Sequence, residues 1–526
     1  MCLAKLKLLV LLILTTTLAS GCATTKPIEH YYQDIQKNSP QLLTHFFYSF
    51  PKGGDIHTHL VGATYAENLI ETAVEENLCV NKLSRSIVSC DNTHSTQVKA
   101  YIKDEMAYSG LINSLSMRNF TPNNRLGNES GHDHFFNSFV KFGEASDDKG
   151  KILAEMMARA NRQNILYLEI MTSPSMQQAR DMMQGWQGDN KDFDSLYNHI
   201  TKGKTLGKLV QQAKTIMDHA EQRAARLLNC SDGFDRCPVK VRYQAQVIRT
   251  FTIDKVFAQS VLAYELMQAD KRFVGVNFVG PEDHPITLGD YSQQMQILNY
   301  LAQKYKAKYQ DSVFNITLHA GELAKGLVPS KHLKFHVNEA IFIANSQRIG
   351  HGVDILHEDN LFQTLKTMSD RGIAVEINLT SNDLILGVKG KDQHPLPVYM
   401  QYKVPVLLST DDEGVSRIDL THEYTRAAKE YDLTYTQLKM LSRNSLEYAF
   451  LPGRSLWQSH WQGERAGTTP NSYRTAFIAC DGEQLASNLC RAAVSSSPKA
   501  KLQRELELRI RQFEQQYPVK AMENKT

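Results

Sequence analysis

Pro51-Lys52-Gly53-Gly54-Asp55-Ile56-His57-Thr58-His59-Leu60 leads from an apolar helical stretch, through a glycine pair, into a strand-like run that ends in two histidines. Residues two apart on a β-strand face the same side, so His57 and His59 can bind one ion together from a barrel interior. A lone His-x-His is weak evidence. Its weight comes from three other polar signatures, each at the C-terminal end of an apolar run: Thr317-Leu318-His319-Ala320-Gly321-Glu322, Arg348-Ile349-Gly350-His351-Gly352 and Leu408-Ser409-Thr410-Asp411-Asp412. Three imidazoles and a carboxylate then stand ready for one metal ion, with Glu322, His351 and Asp412 left for proton chemistry. Zinc catalysis needs such nitrogen and oxygen ligands plus an open position for water, so the set implies a metal-dependent hydrolase.

Signatures so far apart in sequence meet only if the strands that carry them share one mouth. The β-branched apolar runs are Gly53–His59, Ile165–Met171, Val239–Ile248, Phe273–Gly280, Asn315–Ala320, Arg348–His351, Ala374–Leu379 and Val404–Thr410, with long helical stretches between them. Eight buried-type strands alternating with helices predict an α/β fold, a closed parallel (β/α)8 TIM barrel whose strand ends line a single site. Leu60 to about Asn164 is too long for one crossover helix and reads as an insertion over the mouth. Thr121 to Gly131 is a loop by composition. A second His-x-His, His132-Asp133-His134, has no apolar strand before it; it reads as a helix start backed by Phe135, Phe136, Phe139 and Phe142. Helices are expected around Leu206–Leu228 and, beyond Pro452, from about Lys499 to Tyr517. There Leu502, Leu506, Ile510 and Phe513 recur at helical spacing and predict packing on the barrel's outside.

Lys5 and Lys7 precede a short apolar core from Leu8 to Leu14, and Leu18-Ala19-Ser20-Gly21-Cys22 resembles a bacterial lipobox. The expectation is a lipoprotein signal peptide over 1–22, lipidation at Cys22 and a membrane anchor in the cell envelope. Ala23 after the cysteine favours the outer membrane, facing the periplasm. The remaining divisions are an N-terminal linker or helix over 23–45, a catalytic barrel over 46–452 and a C-terminal extension over 453–526. Export leaves Cys79, Cys90, Cys230, Cys237, Cys480 and Cys490, an even set in an oxidising compartment, and local disulfide pairing is expected. The formal charge of +3 falls close to zero in the mature chain. No basic block interleaved with aromatics occurs, which argues against a nucleic-acid partner. Oligomeric state is not addressed by the sequence, and a homodimer is allowed.

The opening Pro-Lys-Gly-Gly-Asp-Ile-His-Thr-His-Leu resembles that of the adenosine deaminase family, and most of all its secreted branch, the adenosine deaminase-related growth factors. Further segments fall in family order: Tyr167-Leu168-Glu169-Ile170 with Ser173-Pro174, Val279-Gly280-Pro281-Glu282, His319-Ala320-Gly321-Glu322, Gly350-His351-Gly352, and Thr380-Ser381-Asn382 with Ser409-Thr410-Asp411-Asp412. The likeness spans roughly Phe46 to Tyr448. It implies one Zn2+ held by His57, His59, His319 and Asp411, and attack of hydroxide on C6 of a purine nucleoside. It implies that Glu322 protonates ring N1, that His351 takes the water's proton or steadies the hydroxide, and that Asp412 meets N7. Gly280 would offer a backbone N–H at the purine edge.

Two departures bear on the substrate. Smaller relatives carry an aspartate two residues after the second histidine, where this chain has Val61, and an arginine two after the Tyr-x-Glu glutamate, where it has Met171. The expected activity is hydrolytic deamination of adenosine or 2′-deoxyadenosine. The alternatives are a mononuclear amidohydrolase for another aminopurine or modified nucleoside, and a surface ligand-binding or signalling protein that keeps the barrel.

Overall fold

The computed structural model describes residues 27–90, 94–121, 129–231, 233–310, 312–457, 476–480 and 482–517. Its centre is a ring of parallel strands: β1 (Gly53–His59), β2 (Ile165–Thr172), β3 (Lys240–Ile248), β4 (Phe273–Val279), β5 (Thr317–Ala320), β6 (Arg348–His351), β7 (Ala374–Ile377) and β8 (Val406–Leu408). β1 to β4 form one ladder in chain order and β5 to β8 another. Two seams join them: Val276 bridges Ile316 between β4 and β5, and Thr58 bridges Asp411 between β1 and the turn after β8. The sheet therefore closes as a (β/α)8 barrel. Strands covered on the outside by helices and on the inside by one another must be apolar nearly throughout, which is why every residue of β2, β5, β6, β7 and β8 is buried.

The observed strands stop short of three expected runs. β7 ends at Ile377, and Leu379 already opens the helix Leu379–Leu386. β8 ends at Leu408, because the chain must turn at once: Asp411 takes φ +61. β4 ends at Val279, and Gly280 follows with φ +99. Each early stop moves polar residues out of the ladder and onto the mouth.

Between β1 and β2 the chain builds a unit of its own. It holds the helix Ala66–Glu75, a three-stranded antiparallel sheet of Cys79–Asn81, Ser86–Val88 and Ser95–Gln97, and the helices Glu105–Ser114 and Gly131–Phe139. Its apolar cluster, including Leu69, Val80, Leu111 and Phe135, packs with Ile385 and Val415, which follow β7 and β8. The Met117 N–H donates to the Val415 carbonyl at 2.8 Å, so the insertion is tied down on the mouth side of the barrel. Of the expected loop Thr121 to Gly131, residues 122–128 lie outside the described residues and Gly131 already begins a helix. The helix start at His132 is capped by Ser130, whose hydroxyl accepts from the Asp133 N–H at 3.0 Å.

All three close-spaced cysteine pairs are bonded: Cys79–Cys90 in the insertion, Cys230–Cys237 before β3, and Cys480–Cys490. The C-terminal helix Pro498–Glu514 buries Leu506, Ile510 and Phe513 and leaves Leu502 partly buried. It lies against the helix Tyr435–Glu447, where Arg443 pairs with Glu507 at 2.6 Å and Lys439 with Glu514 at 2.7 Å. Residues 1–26, with the apolar leader and Cys22, lie outside the described residues.

One polar group crosses the barrel interior. The Arg348 guanidinium, fully buried at the start of β6, donates to Glu376 on β7 and to Glu169 on β2, the latter at 2.8 Å. Glu169 also accepts from the Phe450 N–H at 2.6 Å and the Tyr167 hydroxyl at 2.9 Å. Deleting one partner of a buried ion pair strands the other charge. Arg348→Met should therefore lower stability by about 3–5 kcal/mol. Denaturant unfolding followed by circular dichroism reads this as a midpoint at lower urea; an unchanged midpoint refutes it.

Candidate metal centre and active site

His57, His59, His319, His351 and Asp411 converge at the C-terminal mouth, with Glu322 and Asp412 beside them. The backbone does part of this directly. Asp411 N–H donates to the His57 carbonyl at 2.9 Å, and His59 N–H donates to the Asp411 carbonyl at 3.0 Å. That pairing pins the carboxylate between the two histidines. His57 Nε2 and His59 Nε2 stand 3.4 and 3.2 Å from Asp411 Oδ1, and His59 Nε2 stands 3.3 Å from His319 Nε2. Ligands on a tetrahedron with bonds of 2.0–2.1 Å are separated by about 3.3 Å, so these pairs have the spacing of a four-coordinate ion. His57 Nε2 and Asp411 Oδ1 are buried without a hydrogen-bond partner, as atoms awaiting a cation would be.

His57, His319, His351 and Asp411 each bring one ligand atom within 4.8 Å of the others, and so do His59, Asp411 and Asp412. His351 and His59 thus compete for the fourth place. The spacings favour His59: His351 Nε2 is 3.9 Å from Asp411 and reaches the other oxygen, Oδ2.

The partners behind the histidines are what the sequence did not announce. His57 Nδ1–H donates to Glu376 Oε2 at 2.5 Å, His59 Nδ1–H to Gln246 Oε1 at 3.1 Å, and His319 Nδ1–H to Asn277 Oδ1 at 2.9 Å. An imidazole that donates from Nδ1 keeps its Nε2 lone pair for a metal, so all three rings are held in the ligand tautomer. Asp411 Oδ2 accepts from the Ser381 hydroxyl at 2.8 Å. The available signal was the presence of charged or amide residues inside otherwise apolar strands: Glu376 in β7, Gln246 in β3, Asn277 in β4.

Glycines make the room. A Cβ on Gly350 would sit 2.4 Å from His57 Cε1, and one on Gly62 would sit 1.5 Å from Asp412 Oδ1. Gly280, with φ +99, stands at the end of β4, where its carbonyl accepts from Arg249 Nε at 2.9 Å. Gly321 and Glu322 both donate backbone N–H groups to the Glu282 carboxylate, at 3.0 and 2.7 Å, which fixes the bend after His319. The His132-Asp133-His134 sequence stays outside the cluster. His134 is engaged by Glu129 and by the Asn113 and Ser116 carbonyls, while His132 ties the insertion to Asp283, after β4, at 3.0 Å.

Burial splits the acids. Burial and then the nearby Asp411 charge push Glu322 well above the usual carboxyl range, which favours its protonated form. Asp412 is raised to about 7 by burial, against the pull of His59. Burial would also raise Asp411, but the adjoining His57 and His59 hold it well below its ordinary value. Burial disfavours charge on His57, yet Asp411 and Glu376 outweigh it and lift that ring to about 10. Two carboxylates enclosing one imidazole thus demand positive charge between them, which a divalent cation can supply. His319 and His351 are pushed down, chiefly by burial, His351 to about 3.

A family model described as adenosine deaminase matches residues 122–456. The chain belongs to the adenosine deaminase family. An adenosine deaminase of Clostridium perfringens is 23% identical over 403 residues, 75% of this chain and 93% of that protein. One from Aliivibrio fischeri is 36% identical over 142 residues, 27% of this chain and 39% of its own length. Among solved structures, the N6-methyl-AMP deaminase of Arabidopsis thaliana is 21% identical with a TM-score of 0.49, covering 78% of this chain and 94% of that one. The family match starts beyond β1, so His57 and His59 precede it, whereas Glu322, His351, Asp411 and Asp412 fall within it.

In this adenosine deaminase-family chain Gly350 is the glycine packed directly against the His57 ring. Gly350→Ala should displace the His57 ring and cut bound divalent metal to well under one ion per chain while the far-ultraviolet spectrum stays native. Metal analysis of gel-filtered protein decides it; full occupancy would show that His57 is not held by this contact.

Proposed function

We propose that the chain is a zinc-dependent deaminase that converts adenosine and 2′-deoxyadenosine to inosine and 2′-deoxyinosine with release of ammonia. The observation that carries this reading is Glu322: a buried carboxyl three residues past His319 and beside the histidine–aspartate cluster, where burial disfavours its charged form. His57, His59, His319 and Asp411 would hold the ion. Bound zinc brings the pKa of a water near 7 and so supplies hydroxide at neutral pH.

The chain's own groups do the rest. Glu322 donates its proton to purine N1, which ends the ring's aromaticity as C6 becomes tetrahedral; the exocyclic amine takes up the proton given up by the attacking water and leaves as ammonia, and the proton on the new C6 hydroxyl returns to Glu322. Asp412, whose Oδ1 has no partner among the described residues, faces the purine N7 edge and aligns the attacking water. Gly280 lets the backbone approach the base without a side chain in the way. His351 either takes the water's proton or steadies the hydroxide.

A second reading, an amidohydrolase for another aminopurine or modified nucleoside, is favoured by Val61 and Met171. Val61 packs against the insertion's apolar cluster and Met171 is fully buried, so neither offers a polar group to a ribose. The complete donor set argues against a barrel retained only for ligand binding or signalling. For location we propose export and lipid anchoring through Cys22; the three disulfides support an oxidising compartment.

Leaderless protein given adenosine, 2′-deoxyadenosine, adenine and AMP should lose adenine-type absorbance with the two nucleosides and stop after chelation. Activity confined to adenine or AMP moves the reading to the second one. Glu322→Gln should keep its zinc and lose about 10²–10⁴ in kcat; His319→Ala or Asp411→Ala should lose the zinc itself. For the full chain, Cys22→Ser should abolish incorporation of labelled fatty acid, and persistent labelling would refute the anchor.

A further inference from the structure

The fourth histidine of the cluster is wired the other way round. Its wiring starts from a group whose polarity is fixed: the Leu396 backbone N–H, which donates to His394 Nδ1 at 3.1 Å. His394 is 2% exposed, and burial, helped by Arg426, holds it near 3, so it is neutral. A neutral imidazole that accepts at Nδ1 carries its proton on Nε2. His394 Nε2–H therefore donates to Asn382 Oδ1, at 3.0 Å. With its oxygen so engaged, Asn382 can present only its amide nitrogen to His351, and Nδ2 lies 2.9 Å from His351 Nδ1. His351 Nδ1 must then accept, and the ring's proton resides on Nε2.

Asn378 tests this assignment. Its Nδ2 lies 3.5 Å from His351 Nε2, while its Oδ1 is buried without a partner. One neutral ring cannot accept from two amides at once while also carrying its own proton. Asn382 is locked by the chain from Leu396; Asn378 is not. Half a turn of the Asn378 amide sets Oδ1 opposite His351 Nε2–H and gives the orphaned oxygen a donor. Each ring nitrogen of His351 then faces an amide atom of matching polarity, and only with Nε2 protonated.

We propose that Asn382 and His394 are positioning residues that hold His351 as the Nε2–H tautomer, opposite to that of His57, His59 and His319, so that His351 meets the attacking water as a hydrogen-bond donor. This deepens the deaminase reading above and rests on it for the water, but the tautomer rests on hydrogen bonds alone. It explains why His59, and not His351, belongs with the metal donors: the nitrogen that His351 turns toward Asp411 has no lone pair to give. It also decides between the two roles left open for His351, in favour of steadying the nucleophile.

The tautomer is read directly from long-range proton–nitrogen correlations of zinc-loaded full chain labelled with 15N-histidine, His351→Gln serving to assign the signals. Expected for His351 is a protonated Nε2 and an accepting Nδ1; a bare Nε2 overturns the proposal. Asn382→Asp replaces the donor with an acceptor and should invert the tautomer. kcat for adenosine should then fall by at least about 10²-fold, the scale on which a wrongly held catalytic imidazole acts, with KM and bound zinc unchanged. An inverted ring with wild-type kcat removes the positioning role. Should that variant fail to fold, His394→Gln retains an N–H toward Asn382 Oδ1 and His394→Leu does not, so activity should survive better in the first; equal loss in both overturns the relay. A protein with the expected tautomer that deaminates none of the aminopurines leaves the wiring intact and sinks the deaminase reading instead.

Discussion

Closure of the barrel at the β1–β8 seam is the constraint on which the site depends. The two backbone hydrogen bonds between Asp411 and the histidines 57 and 59 are at once the last stitch of the sheet and the first placement of the metal donors. A (β/α)8 ring has no sheet edge, so its last strand must find the first, and the register of that meeting is not free. Here it sets a carboxylate between two imidazoles contributed from the other end of the chain. Asp411 adopts a left-handed backbone to do so, φ +61, a conformation that an aspartate tolerates better than most residues. The local strain is held in place by the ring around it.

Behind that seam stands a layer of polar groups that a barrel interior would otherwise exclude. Glu376 links the two roles: one oxygen takes the His57 Nδ1–H and the other takes Arg348 and the Thr317 hydroxyl at 2.9 Å. Burial alone would raise this carboxyl; Arg348 and His57 outweigh it and hold it at about 2. Glu376 therefore stays charged and orients its imidazole at neutral pH. Arg348 is in turn neutralised by Glu169 across the barrel. A structural ion pair and a metal-site support are thus one network, and neither can be altered without the other.

Much of this could be read from residues alone, for a physical reason. Strand ends in a parallel barrel must converge, so polar signatures at those ends had one place to go. The signatures at 57, 319, 351 and 411 met there. The supports Gln246, Asn277 and Glu376 were harder to see, because a single amide or acid inside an apolar run is also what a bulge or a strand end looks like. Ser381 and Asn382 stood in a family segment, but their roles were hidden differently. The apolar run Ala374–Leu379 gave no sign that β7 stops at Ile377, and only the early start of the next helix swings those two side chains back over Asp411 and His351. The three-stranded sheet of the insertion was also illegible: its strands are three residues each, too short for any periodicity to register.

Three carboxyl groups at this mouth differ in kind because they differ in partners. Asp411 lies against two histidines, accepts from the Ser381 hydroxyl and stays ionised, Asp412 has His59 nearby but no donor on its Oδ1 among the described residues, and Glu322 faces Asp411's charge with little to offset its burial. Acids pushed apart in this way can act as ligand, acceptor and proton donor within one small volume. The separation is built from barrel elements: the seam, the bend after His319 clamped by Glu282, and Gly62, whose missing side chain leaves space for Asp412. Apart from Gly62, at its entry, the insertion contributes none of these groups. The donor set is thereby held by the ring, while the covering unit on the mouth, against whose apolar cluster Val61 packs, can vary without disturbing the groups beneath it.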